Sequence, residues 1–284
     1  MTPIINDDHT DHLEKEGWVI IRGVFSRAET EDFRRRAYTS DAEKLGKRDL
    51  LSNPHFSELI LDERVLAVAA TLVKSRPVYF GDSSYQIAST LGGISLGFHK
   101  DNPHMLDPAS PDWQSPYTLV RFGIYLQDHA RHAQGLMVKS GSHRFADFTS
   151  GQSVTMPTEP GDIVAWYLTT THSGNTMRTR VLGYPIFPDT LASRVYFKLE
   201  RLAKVRNLFM QQAERDRVAL FMTFGAQDHH LENYLSYLKG RKYMVSMWQE
   251  SSYGEAELRA AERKPVSLLS MRDSVLELDA ETLI

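Results

Sequence analysis

The chain has 284 residues, 42% apolar, 10% aromatic and 24% charged, which excludes collagen-like, low-complexity and disordered classes and leaves a globule. Acidic side chains number 36 and basic ones 33, a net charge of −3 without the positive excess that a phosphate backbone demands, so nucleic acid is not an expected partner. Cysteine is absent, which removes disulfides, thiolate metal sites and thiol nucleophiles; no apolar run spans a bilayer, and the opening residues lack a signal peptide's basic and apolar regions, so a cytoplasmic protein without an integral membrane segment is expected.

In chain order, Thr10 to Lys15 reads as a short helix stopped by Gly17, and Trp18-Val-Ile-Ile as a strand. Ser26 and Glu29 have capping-box spacing and open a second helix. After Asp62, Val65, Val68, Ala69 and Leu72 recur at helical spacing and form one apolar face. From Pro77 the pattern changes to short β-like runs between Gly, Pro and Asn turns. These are Val78 to Phe80, Tyr85 to Ala88, Thr118 to Leu126, Leu136 to Val138, Ile163 to Leu168 and Arg194 to Leu199. Beyond Leu202 the chain reads as helical, with one strand at Val218 to Phe224 and a polar, partly mobile tail from Ser251. Short strands without long intervening helices predict a sandwich or barrel rather than a parallel α/β sheet. The whole is read as one domain: helices over 1–76, a mainly β core over 77–200 and a helical region over 201–284. Nothing in the sequence sets an oligomeric state.

One segment of the β-rich region carries chemistry, Gly97-Phe98-His99-Lys100-Asp101. On an extended backbone alternate side chains share a face, so His99 and Asp101 can reach one metal ion. His172, just beyond the strand that Pro160-Gly161-Asp162 introduces, supplies a third ligand. Two histidines and one carboxylate form the facial triad of non-haem Fe(II) oxygenases, which leaves positions open on the metal. On the strand Thr118 to Leu126, Val120, Phe122 and Ile124 share one face, and Arg121 and Tyr125 share the other with Gly123.

The sequence resembles the phytanoyl-CoA dioxygenase family of Fe(II)- and 2-oxoglutarate-dependent oxygenases. The resemblance covers Glu14 to Leu199 and rests on ordered pieces: Gly-Trp-Val-Ile-Ile-Arg-Gly-Val-Phe25, His99-Lys100-Asp101, Gly135-Leu-Met-Val-Lys-Ser-Gly-Ser-His143, Pro160-Gly161-Asp162, His172, and Arg194 opening a strand. It implies a double-stranded β-helix (jelly-roll, cupin-like) core with flanking helices. It also implies Fe(II), 2-oxoglutarate and O2 as cofactor and co-substrates, with succinate and CO2 as products and hydroxylation of an unactivated C–H bond. Asp101 is the carboxylate that halogenating relatives lack, which favours hydroxylation.

A bidentate guanidinium is the natural buried partner for the distal carboxylate of 2-oxoglutarate. Arg194 is the choice, although it stands farther behind His172 than the family's spacing, with Arg178 to Leu191 read as an inserted loop; Arg178 or Arg180 is the alternative. Tyr125 is expected to donate to 2-oxoglutarate and Arg121 to meet it or the substrate, with Thr170, Ser173 and Ser193 as accessory donors. Lys100, Asn102, His104 and Arg178 would suit a small polar or anionic substrate such as an acid sugar, phosphonate, amino acid or thioester.

Other residues have plainer expected roles. His143 braces a turn, Asp228-His229-His230 starts a helix, His129 and His132 are solvated, and Trp166 and Tyr167 pack the barrel with one facing the cavity. A non-catalytic metal- or sugar-binding jelly-roll of cupin type is the competing reading.

Overall fold

The structure, a computed structural model, describes residues 5–88, 97–129, 135–174 and 215–283, together with the backbone of 177–178 and 185–186. Arg180, His132, Ser193, Arg194 and the strand expected from Arg194 to Leu199 lie outside the described residues, as does the side chain of Arg178.

Helix α1 (Asp7–Glu16) is capped by Asn6 and ends where Gly17 takes φ +81, a left-handed conformation that suits glycine. Strand β1 (Trp18–Ile21) follows. Helix α2 (Arg27–Ala42) carries the predicted capping box: Glu29 N donates to Ser26 Oγ (3.2 Å), and Ser26 N donates to Glu29 Oε2 (2.8 Å). Such a cap contributes about 1 kcal/mol. A short α3 (Ser57–Ile60) precedes α4 (Glu63–Val73). The predicted stripe on α4 is buried completely or nearly so, and each Val or Leu there contributes roughly 1.5–3 kcal/mol against exposure.

The remaining strands are β2 (Val78–Ala88), β3 (Val120–Tyr125), β4 (Met137–Ser140), β5 (Gln152–Thr155), β6 (Ile163–Tyr167), β7 (His172–Ser173), β8 (Met177–Arg178), β9 (Pro185–Ile186), β10 (Arg217–Gly225) and β11 (Ser267–Leu268). Helices α5 (His229–Leu238), α6 (Lys242–Glu250) and α7 (Glu255–Glu262) lie between β10 and β11. The large sheet runs β1-β6-β3-β10-β2-β11, antiparallel except for β11 against β2, and the small sheet runs β5-β4-β7. The chain passes back and forth between them, with β2, β3, β6 and β10 in the large sheet and β4, β5 and β7 in the small one. This is the double-stranded β-helix. The small sheet is extended by His99, which forms an antiparallel bridge with His172.

Strand parity sets the layers. Val120, Phe122, Ile124, Val218, Leu220, Met222 and Phe224 face the helix-covered core. The intervening positions turn inward, where Tyr125, Val164, Trp166 and Ala219 meet Leu136, Val138 and Met156 in a second, smaller core. A strand buried on both faces has no solvated side to show, which explains the near-continuous apolar runs of β6 and β10.

Two features depart from the sequence reading. The runs at 78–80 and 85–88 are one bulged strand, and β10 lies between β3 and β2 in the large sheet, so that sheet reaches well past residue 200. The polar tail is tied in by β11, whose Ser267 and Leu268 register with Val78 and Tyr79.

Pro160-Gly161-Asp162 fixes β6 to the N-terminal strand. Gly161 takes φ +104, and a Cβ there would lie 2.0 Å from the Phe25 carbonyl oxygen, so the close approach requires glycine. Gly23 N donates to Asp162 Oδ1 (2.9 Å), and Arg22 pairs with Oδ2 (2.6 Å).

Candidate metal centre

His99 and His172 arrive together because their backbones are bonded to each other: His99 N donates to His172 O (3.0 Å) and His172 N to His99 O (2.8 Å). Asp101, two residues on, is held by its own N–H on Leu168 O (2.9 Å). The ligand atoms of His99, Asp101 and His172 all lie within 4.8 Å of one another. His172 Nε2 is 3.5 Å from Asp101 Oδ2, and His99 Nε2 is 3.8 Å from Oδ1.

The tautomers follow from the neighbours. His99 Nδ1 faces Gly97 O at 3.1 Å and His172 Nδ1 faces Thr170 O at 3.0 Å. A carbonyl oxygen only accepts, so each Nδ1 carries the proton and each Nε2 presents a lone pair to the shared point. Burial depresses the His172 pKa to about 4, against the pull of Asp101, so that ring is neutral at neutral pH. Burial pushes the Asp101 carboxyl the other way, but Arg121, then His172 and His99, hold it below its ordinary value. Neutral imidazoles and an ionised carboxylate are the states a metal needs. Asp101 Oδ2 is buried and accepts no hydrogen bond in the protein, although the Arg121 guanidinium stands 3.3 Å away, which leaves its lone pairs open to a further cation.

These residues open onto a cavity of about 200 Å³ that is also lined by Gln86, Arg121, Tyr125, Leu136, Trp166, Gly174, Arg217 and Phe221. Arg217, at the start of β10, was not singled out from the sequence. It is 4% exposed, donates to Gly174 O and to Gln86 Oε1 (3.4 Å), and stands 5.7 Å from the centre of the Tyr125 ring. Burial lowers its pKa, partly offset by Tyr125. The Tyr125 hydroxyl is buried with no hydrogen-bond partner, and burial raises its pKa to about 12, which keeps it a donor. Trp166 Nε1 is another buried, unpartnered donor of the same lining. Gly123 is the small residue beneath: a Cβ there would lie 2.9 Å from Tyr125 Cε2 and 3.1 Å from Trp166 Cζ3.

The structure thus brings His99, Asp101, His172, Arg121 and Tyr125 to one cavity and does not bring Lys100, Asn102 or His104 there. Lys100 is turned inward on the opposite parity, donating to Ser142 O (2.9 Å) and Thr169 O (2.6 Å), and burial lowers its pKa to about 7. Asn102 Nδ2 donates to Asp112 Oδ2 (2.8 Å), and His104 is exposed. Thr170 Oγ1 donates to Gly17 O (2.7 Å), which takes it from the accessory donors expected at the cavity; Ser173 is buried in β7.

Around the cavity, Trp166 is the aromatic that lines it, while Tyr167 lies on the other parity. His129 is not solvated: it is 1% exposed, bonded to Thr158 Oγ1 (3.0 Å) and packed 4.1 Å from the Tyr125 ring. His143 Nε2 donates to Glu14 O (3.1 Å), the bracing role expected of it. A second group, Asp228, His229 and His230, sits at the start of α5, where Asp228 caps the helix.

No protein-family profile matches this sequence, and no curated protein matches it. Solved structures do. EctD from S. alaskensis in its apoform is 15% identical, with 79% of this chain and 78% of that one aligned at a TM-score of 0.56. The non-heme alpha ketoglutarate dependent carbocyclase SnoK from nogalamycin biosynthesis is 16% identical over 80% and 90% of the two chains, TM-score 0.53. AviO1 from Streptomyces viridochromogenes Tue57 is 13% identical over 80% and 97%, TM-score 0.52. At such identities the likeness is one of fold.

Proposed function

We propose that the chain is a non-haem Fe(II)- and 2-oxoglutarate-dependent oxygenase that hydroxylates an unactivated C–H bond of a small polar or anionic metabolite. The observation that carries this reading is the convergence of His99, Asp101 and His172 in a cavity that also holds a buried guanidinium and an unpartnered buried phenol. The fold likeness to SnoK, an enzyme described as alpha ketoglutarate dependent, and to EctD, which has been solved with Fe and with 2-oxoglutarate and 5-hydroxyectoine, supports it.

His99 and His172 would hold the iron through Nε2, and Asp101 through its carboxylate, leaving positions for a chelating co-substrate and O2. Arg217 would pair with the distal carboxylate of 2-oxoglutarate, with Tyr125 donating beside it. On this reading the anchor is Arg217 of β10, while Arg194, the residue expected from the sequence, lies outside the described residues. Bound together, iron, 2-oxoglutarate and O2 supply the oxidising power and leave succinate and CO2. The protein's own part is to keep the His172 imidazole neutral, the Asp101 carboxylate ionised and the co-substrate oriented, while Leu136, Trp166 and Phe221 exclude water from the inner wall. The small volume and the polar groups of its lining, Gln86 and Tyr125 among them, support a small polar substrate, with acid-sugar, phosphonate, amino-acid and thioester types as the classes to try.

The test is succinate release from 2-oxoglutarate with Fe(II) and O2 across a panel of such substrates, read together with a mass gain of one oxygen on the substrate. Activity is expected in the wild type and its loss in Asp101→Ala. Absence of iron-dependent succinate with every substrate would overturn the oxygenase and leave the non-catalytic metal- or sugar-binding jelly-roll.

A further inference from the structure

Strand β2 carries a bulge whose purpose the metal site explains. Ser83 registers with Met222 and Tyr79 with Phe224, so Phe80, Gly81 and Asp82 face Thr223 alone. Gly81 takes φ +79 there, and a Cβ on it would come within 3.1 Å of Trp248 and Tyr253. The bulge presents the Asp82 carboxylate to the inside of the large sheet. Its Oδ2 accepts from Arg121 Nη2 (2.7 Å), Thr223 Oγ1 (2.8 Å) and Tyr234 OH (3.1 Å). Arg121 in turn donates through Nε to Thr223 Oγ1 (3.2 Å) and through Nη2 to Tyr234 OH (3.1 Å), and its remaining nitrogen, Nη1, lies 3.3 Å from Asp101 Oδ2.

Resting on the triad reading above, we propose that Asp82 is a positioning residue for the metal carboxylate, acting through Arg121, and that Arg121 braces Asp101 rather than binding the co-substrate. The guanidinium is a rigid plane, so fixing Nε and Nη2 fixes where Nη1 points. Charge makes the same case. Arg121 alone beside Asp101 would be a cation competing with the metal for one carboxylate; with Asp82 behind it, the carboxylate faces a neutral ion pair. Outer partners of this kind are typically worth 10- to 100-fold in metal affinity.

Co(II) titration by calorimetry and visible absorption tests this without turnover. Asp82→Asn is expected to weaken Co(II) binding about 10- to 100-fold. Because Asp82 acts through Arg121, Arg121→Gln alone is expected to weaken binding to a similar extent and the double variant no more than either single, whereas an Asp82 that acts independently of Arg121 predicts losses that add. Wild-type affinity in Asp82→Asn, or losses from the two single variants that add in the double, overturns the proposal while leaving the triad intact. No Co(II) binding by the wild type overturns both. Should Asp82→Asn fail to fold by circular dichroism, Tyr234→Phe, which removes a hydroxyl from both charges, is expected to bind Co(II) about 3-fold more weakly with an altered absorption band. An unchanged affinity and band in that variant would reject the role.

Discussion

Two sets of two histidines and one aspartate bring ligand atoms within 4.8 Å of one another among the described residues, and they differ in what the other atoms are doing. At His99, Asp101 and His172, each Nδ1 is taken by the carbonyl two residues earlier in its own segment, so the lone pairs are directed into a cavity with Arg217 and Tyr125. At Asp228, His229 and His230, the carboxylate Oδ1 accepts from the N–H groups of His230 and Leu231 and caps α5. The Nε2 atoms of His229 and His230 lie 3.4 and 3.2 Å from Ser115 Oγ, and His230 Nδ1 lies 3.4 Å from Thr118 Oγ1. Proximity is common to both sets. In the first set each Nδ1 is committed to a carbonyl and the Nε2 atoms share a cavity wall with Arg217 and Tyr125, whereas in the second the ring nitrogens face the Ser115 and Thr118 hydroxyls.

The sharpest way to break this contrast is to remove one ligand from each set. His172→Ala is expected to lower Co(II) affinity by more than the ~100-fold that an outer partner is worth, and His229→Ala to leave it unchanged, both by calorimetry. Equal effects would erase the distinction. Next in size is Arg217→Met. Truncating one member of a buried charge pair costs about 2–5 kcal/mol, so the apparent KM for 2-oxoglutarate should rise at least roughly 30-fold. The same substitution at Arg194 is expected to leave that KM in place; the reverse result would return the anchor to Arg194.

Smaller effects sharpen the picture of the wall and its surroundings. Gly123→Ala pushes a methyl group into Tyr125 and Trp166 and is expected to cost about 1–3 kcal/mol in thermal or denaturant unfolding, with weaker 2-oxoglutarate binding. The least of the four concerns His143, whose pKa burial lowers to about 4 from 6.5. Between those values the unfolded chain takes up a proton that the folded chain refuses, so its contribution is whole above pH 6.5 and is lost as pH falls toward 4. Acid titration of the unfolding midpoint should therefore fall more steeply in the wild type than in His143→Gln; parallel curves would show that His143 does not stay neutral.

What the sequence made legible was local. His99-Lys100-Asp101 declares itself through the period-two geometry of an extended chain, and the alternation on β3 put Arg121 and Tyr125 on one face, as found. The same alternation carries a second signal: if His99 and Asp101 share a face, Lys100 and Asn102 point away, and they do. Arg217 was hidden for a different reason. Its position depends on β10 pairing with β2 and β3 across long stretches of chain, which no local pattern reports. The hint available was Arg217 and Thr223 on one parity of an otherwise apolar strand. Asp82 was equally hidden, because a bulge, not alternation, decides where it points.

The reciprocal backbone bonds between residues 99 and 172 have a further meaning. Many small metal domains are stapled shut by their ion and collapse when it is stripped. Here the two histidine-bearing segments are already clasped by their own amides, so an ion bound there would inherit a socket instead of creating one. Chelation should therefore empty such a site while the architecture stands, and reloading should proceed without refolding.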